Sequence, residues 1–171
     1  MGLAFKMAFF RIKKIKGKEY AYIVKNEWSG KGSRQKVKGY LGRVYRFNLL
    51  NGIDFPEHLE IRNIQSYIEN SEKNKIINDL IQWELFRFGV DKKDFSIDLK
   101  QGIIQKNKKN VALFINDGFM CNITVKNLLE FKPSDEETDG YRLARAFVEA
   151  GIKVPQDIFV GLFGKLYKKY N

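Results

Sequence analysis

Hydrophobic residues follow two periods along this chain, and the change between them divides it. Over residues 8–47 the period is two, the signature of strands with one buried side. Ala8 to Ile15 is a β-prone run, Lys16-Gly17 interrupts it, and Lys18 to Asn26 resumes it. A glycine-containing pair between two such runs is a hairpin signal. In the second run Tyr20, Tyr22 and Val24 fall on one side and Ala21, Ile23 and Lys25 on the other. Trp28 to Arg34 reads as a Gly/Ser loop. A third run, Arg34 to Phe47, puts Val37 and Leu41 on one face and Arg34, Lys36, Lys38 and Tyr40 on the other by strict alternation. Gly39 and Gly42 mark a bulge or bend. The expectation is a three-stranded antiparallel sheet with one apolar face and one basic, aromatic-bearing face.

Beyond residue 48 the pattern changes. Residues 48–62 read as a connector, with a turn at Asn51-Gly52 and Pro56 opening a helical turn. From Asn63 to Gly89, apolar residues recur at three- and four-residue steps (Ile64, Ile68, Ile76, Leu80, Leu85, Phe88), which predicts helix. Ser71 is placed to cap its second part and Gly89 to stop it. Residues 94–121 return to strands with polar turns, the last at Asn116-Asp117-Gly118. Helices are predicted again after Thr124, read as an N-cap, from Tyr141 to Gly151, and after Pro155. The last carries an apolar stripe (Ile158, Leu162, Phe163, Leu166) that packs within the chain or docks a second copy or a protein partner. The fold class is therefore α+β. A three-stranded antiparallel sheet over residues 1–47 packs on a mixed helical part, residues 48–171, that holds a second β-hairpin; the two form separate domains or one continuous domain.

Charge sharpens that division. Residues 1–46 hold 13 Lys/Arg against two acids, Glu19 and Glu27, and so carry the chain's whole net charge of +11. The other 125 residues hold 18 of each sign. A positive field concentrated in one segment attracts a polyanion, and release of that polyanion's counterions drives binding. Nucleic acid, RNA slightly ahead of DNA, is the expected partner, ahead of an anionic membrane surface. On the sheet, Arg11, Lys13, Lys31, Arg34, Lys36, Lys38 and Arg43 are the phosphate candidates, and Trp28 and Tyr40 the stacking candidates. Trp28 reads equally as a ring folded over the core, and the alternating pair Tyr20/Tyr22 reads as core. The loop Ser29-Gly30-Lys31-Gly32-Ser33 lacks the spacing of a phosphate-binding P-loop.

The order of these features resembles a known family. A basic strand, a tyrosine-rich strand ending near Trp28, and Arg34-Gln35-Lys36-Val37 leading to Tyr40-Leu41-Gly42-Arg43 are similar to the basic N-terminal segment of insertion-sequence transposases and of related uncharacterised microbial proteins. The resemblance covers residues 9–44. In those transposases a catalytic domain with three spaced acids follows, and the remaining chain here has no counterpart for it. The resemblance thus implies a nucleic-acid-contacting module and not transposition.

Chemistry is sparse elsewhere. One cysteine, Cys121, excludes an internal disulfide and a Cys-rich zinc site, and one histidine, His58, excludes any site needing two. The cluster Asp135, Glu136, Glu137 and Asp139 is the one enzyme lead, since grouped carboxylates can hold a divalent ion for phosphodiester hydrolysis. Placed at a helix start, the same acids serve the helix dipole. No motif calls for a cofactor, no apolar run reaches the ~20 residues of a membrane span, and no secretion signal is evident. The sequence therefore predicts a cytoplasmic, non-catalytic nucleic-acid-binding protein. A metal-dependent nuclease built on the acids near Asp135, and a subunit docking an acidic or ribosomal surface, are the alternatives.

Overall fold

Lys16 and Gly17 both adopt positive φ (49° and 77°), the geometry of a two-residue hairpin turn. In the computed structural model, which describes residues 8–134 and 137–168 except the Lys168 side chain, this turn joins β1 (Phe9–Ile15) to β2 (Lys18–Ser29). β2 runs on to Ser29 and β3 (Gly32–Arg46) begins three residues later. The expected seven-residue loop thus shrinks to Gly30-Lys31, and Trp28 and Arg34 are strand residues paired with Ser33 and Glu27. The meander is antiparallel, Phe9 opposite Val24 and Tyr22 opposite Tyr40.

The sheet continues past the meander. The last residues of β3 pair in parallel with β6 (Lys109–Ile115), Arg43 beside Val111 and Tyr45 beside Leu113. The other edge of β6 takes β5 (Ile103–Lys106) at its start and β7 (Gly118–Met120) at its end; β4 (Ser96–Asp98) completes the order β1-β2-β3-β6-β5-β4. Six helices accompany it among the described residues: α1 (Phe55–His58), α2 (Ile64–Asn70), α3 (Lys73–Arg87), α4 (Asn122–Leu129), α5 (Asp139–Glu149) and α6 (Gln156–Lys168). This is an α+β fold with a mixed sheet.

Alternation along β6 gives the sheet two cores. Val111, Leu113 and Ile115 join the larger one, built with Ile76, Ile77, Leu80 and Ile81 of α3 and Ile158 and Leu162 of α6. Ala112 and Phe114 join a smaller one on the opposite side, with Ala21, Leu41, Val44, Phe119 and Cys121. The apolar stripe of α6 is thus buried inside the chain: Ile158 and Leu162 are fully covered. The sequence places Lys168 and Lys169 at the end of this helix, where cations suit the dipole; Lys169 lies outside the described residues.

The helical stretch divides at Ser71, and two cap assignments are corrected. The helical stretch 63–89 is two helices, because Ser71 is extended (φ −115°, ψ 132°) and ends α2. Lys165 of α6 donates to the carbonyls of Ile68 (2.8 Å) and Ser71, supplying partners that an ended helix leaves unmet. Asn63 caps α2 through its side chain, and Glu72, not Ser71, occupies the cap position of α3. Cys121, not Thr124, caps α4; Thr124 sits at the third helical position, accepts from the Cys121 amide (3.1 Å) and donates to the Phe119 carbonyl (2.6 Å). Burial pushes the Cys121 thiol pKa up.

Candidate nucleic-acid interface

Two β-bulges decide which side chains share a face. Opposite Ile23/Val24, β3 carries an extra residue, Lys38; opposite Ala21/Tyr22 it carries another, Leu41. Each extra residue inverts the alternation of β3 relative to its partner. Strict counting had put Tyr40 with Arg34, Lys36 and Lys38. Through the pairing, Tyr40 instead lies opposite Tyr22 and shares its side of the sheet, whereas Lys36 pairs with Lys25 and Arg34 with Glu27 on the reverse side. Lys38 follows them: its ammonium reaches Glu27 at 2.5 Å. The single basic face expected from the sequence is therefore divided between two faces.

One of these is the side that the larger core leaves uncovered on β1 and β2. Across it run Arg11, Tyr22 and Tyr40 in one row and Lys13, Tyr20 and Arg43 in the next. The Tyr40 ring lies 5.2 Å from Tyr22 and 6.5 Å from Tyr20, centroid to centroid, and half of Tyr40 is exposed. Tyr20 and Tyr22, expected in the core, are half-buried members of this surface. Lys13 sits over the Tyr22 ring at 5.3 Å and Arg43 over Tyr45 at 4.9 Å. Lys106 of β5 reaches the same Tyr45 ring at 5.1 Å. Arg11 donates to the Gln35 side chain, and the register sets the buried Val24 between them. Burial, and then the neighbouring Tyr22 and Tyr20, push the Tyr40 phenol pKa up.

The acids of the meander lie on the other side. Glu19 accepts from Arg46 at 2.7 Å, and Arg46 in turn stacks on Phe114 of the smaller core. Glu27 accepts from Lys38 and approaches Lys36 at 3.7 Å. The Lys38 hydrogen bond, with help from Lys36, lowers the Glu27 pKa. Both negative charges of residues 8–46 are thus turned away from Arg11, Lys13 and Arg43.

Past the pair Phe9–Val24, β2 and β3 go on together as a ribbon from Lys25–Lys36 to Ser29–Gly32. Trp28 stands near its tip, 74% exposed, so it is not folded over the core. It is six residues from Tyr22 on the same side of β2, about 20 Å at strand rise. Lys31 is in the exposed turn. Of the nine candidate residues, Arg11, Lys13, Tyr40 and Arg43 thus come together on one side. Trp28 extends that side to the tip, and Arg34, Lys36 and Lys38 form a second surface behind it. Tyr20 and Tyr22 were missed as site residues because alternating aromatics read as core; the signal that would have found them is Lys13 and Arg11 directly across β1.

The acidic cluster offers less. Asp135 and Glu136 lie outside the described residues. Asp139 is fully buried and accepts from the Ser134 hydroxyl (2.6 Å), the Ser134 amide (2.9 Å) and Arg142 (2.7 Å), which together lower its pKa. It pins the start of α5. Among the described residues no three His, Cys, Asp or Glu side chains gather as a metal site. His58 stacks on Phe86 at 4.7 Å. An open concavity of about 610 Å³ lies between α2 and α6; Asp157, in its lining, accepts from the Ile158 amide at 2.9 Å. No helix among the described residues is long and apolar enough to cross a membrane. Comparison with protein-family models, curated proteins and solved structures finds no match.

Proposed function

We propose that this protein binds nucleic acid without acting on it chemically, and that the ligand is an unpaired strand, of RNA rather than DNA. The observation that carries this reading is the cluster Tyr20, Tyr22 and Tyr40 on an uncovered sheet side, bracketed by Arg11, Lys13 and Arg43. Rings exposed on a sheet accept unstacked bases, and flanking cations hold the phosphates. A cation–π contact supports this reading: Lys13 rests on the Tyr22 ring, and on binding it moves to a phosphate as a base takes the ring face. Sheet platforms of this kind favour single-stranded RNA, whose bases can splay onto the rings. The likeness of residues 9–44 to a transposase segment supports nucleic acid as the ligand class. On this reading the protein works in the cytoplasm, and its helical part serves as scaffold.

Anisotropy of a labelled single-stranded oligonucleotide tests the proposal. Tyr40→Ala is expected to weaken binding by about 1–3 kcal/mol, the worth of one stacked base, and Tyr40→Phe to restore it. Equal affinity of wild type and Tyr40→Ala would remove the platform from the interaction.

A further inference from the structure

The β2–β3 ribbon has two unlike sides, set back to back. On the platform side stand Asn26, Trp28, Gln35 and Val37, neutral groups with one large exposed ring. On the reverse side stand Lys25, Arg34, Lys36 and Lys38 against the single acid Glu27. A ligand lying on one side alone would leave the other side's chemistry unused. Lys36 is 64% exposed at its side chain and Arg34 is exposed; their partners Lys25 and Glu27 stand three and five residues along β2 from Tyr22, about 10 and 17 Å at strand rise. Neither is placed to serve a strand lying on the platform, because the ribbon backbone stands between.

We propose that the ribbon is a wedge for a branched nucleic acid: two strands diverge at its tip, one passing over the Trp28–Tyr22 side and the other over the Lys25–Arg34–Lys36 side. This rests on the nucleic-acid reading above and adds the ligand's shape. The division of labour follows from the side chains. Bases of the first strand, freed from pairing, stack on Trp28 and then on the tyrosines. The second strand meets cations without rings, which suits phosphates and carries no base preference. The exposed indole at the tip lies where the last base pair before the branch offers a flat face, the arrangement by which apolar side chains unstack a step. Charge complementarity commits the occupant to a polyanion along the reverse side of the ribbon and beside Arg11, Lys13 and Arg43 at the platform, and the ring asymmetry makes only one of its strands unpaired there.

Anisotropy with three labelled probes of matched sequence tests this: a single strand, a blunt duplex and a Y-shaped fork, each made as RNA and as DNA. The fork is expected to bind about tenfold more tightly than the single strand, from the second strand's phosphate contacts and the base pair seated against the indole. Lys25→Gln/Arg34→Gln/Lys36→Gln is expected to lose that preference while keeping single-strand affinity within about twofold, since its three positions are off the platform. Lys25→Arg/Lys36→Arg is expected to retain it, and circular dichroism of each variant reports that the fold is kept. A fork bound no better than the single strand, or no better than the blunt duplex, overturns the wedge and leaves the platform standing. A triple variant that weakens fork and single strand alike overturns it also. If wild type binds none of the probes, the nucleic-acid reading itself falls. The RNA and DNA arms show which sugar the wedge accepts.

Discussion

Removing the three cations of the tyrosine side tests whether they touch phosphates or merely add to the net charge. The perturbation is Arg11→Gln/Lys13→Gln/Arg43→Gln. These residues flank the Tyr20–Tyr22–Tyr40 cluster in two adjacent rows, and both acids of residues 8–46 lie on the opposite side. Each phosphate contact to a single strand contributes about 0.7 to the slope of log K against log salt, so losing three flattens the slope by about 2. Between about 50 and 200 mM salt, that difference narrows the affinity gap between wild type and variant by roughly twentyfold. The assay is a salt series of anisotropy titrations with one labelled single strand. The control is Lys92→Gln/Lys93→Gln/Lys100→Gln, which removes the same charge at exposed positions near β4, the far edge of the sheet. If both triple variants flatten the slope equally, binding responds to net charge alone and the platform has no special part in it.

Other outcomes follow from particular contacts. Gly42 has φ +124°, and a Cβ there would stand 2.8 Å from the Val111 Cα, against backbone that cannot turn aside. Gly42→Ala is therefore expected to cost about 2 kcal/mol or more, read as a lower denaturant midpoint, and an unchanged midpoint would contradict the close approach of β3 to β6. Glu27→Gln releases Lys36 and Lys38 from their shared acid; fork affinity is expected to rise and its salt slope to steepen by up to about one, with little change in melting temperature. The Asp139 pKa is lowered, chiefly by the Ser134 hydroxyl, so the unfolded chain binds this proton more readily than the folded one. Its contribution to stability is present above about pH 4, the unfolded value, and is lost as pH falls through the lower folded one. Asp139→Ala is thus expected to melt lower at neutral pH and to show a shallower acid limb, whereas parallel acid limbs would contradict the assignment.

Much of the architecture was legible where local pattern and local structure coincide. The β1–β2 turn followed from Lys16-Gly17, the ends of α3 and α5 from Gly89 and Gly151, and the start of α6 from Pro155. What was lost needed partners distant in sequence. Period-two counting holds only while strands pair residue for residue, and the extra residues Lys38 and Leu41 break that condition twice in four positions. Gly39 and Gly42 announced an irregularity without saying which neighbours would be squeezed out. Tyr20 and Tyr22 alternate as core residues do, and nothing local shows that the larger core stops at β3. The parallel junction of β3 with β6 joins segments more than 60 residues apart, so no nearby signal marks it. Ser71 ends a helix because Lys165, far along the chain, satisfies the carbonyls it frees.

Photo-crosslinking tests the tyrosine platform most directly. A single-stranded RNA carrying 5-iodouridine is irradiated with the intact protein, and the joined peptides are mapped by mass spectrometry. Binding on the platform predicts adducts at Tyr20, Tyr22 or Tyr40, suppressed by excess unlabelled single strand. Adducts confined to α5 and α6, or to residues outside the meander, would contradict it.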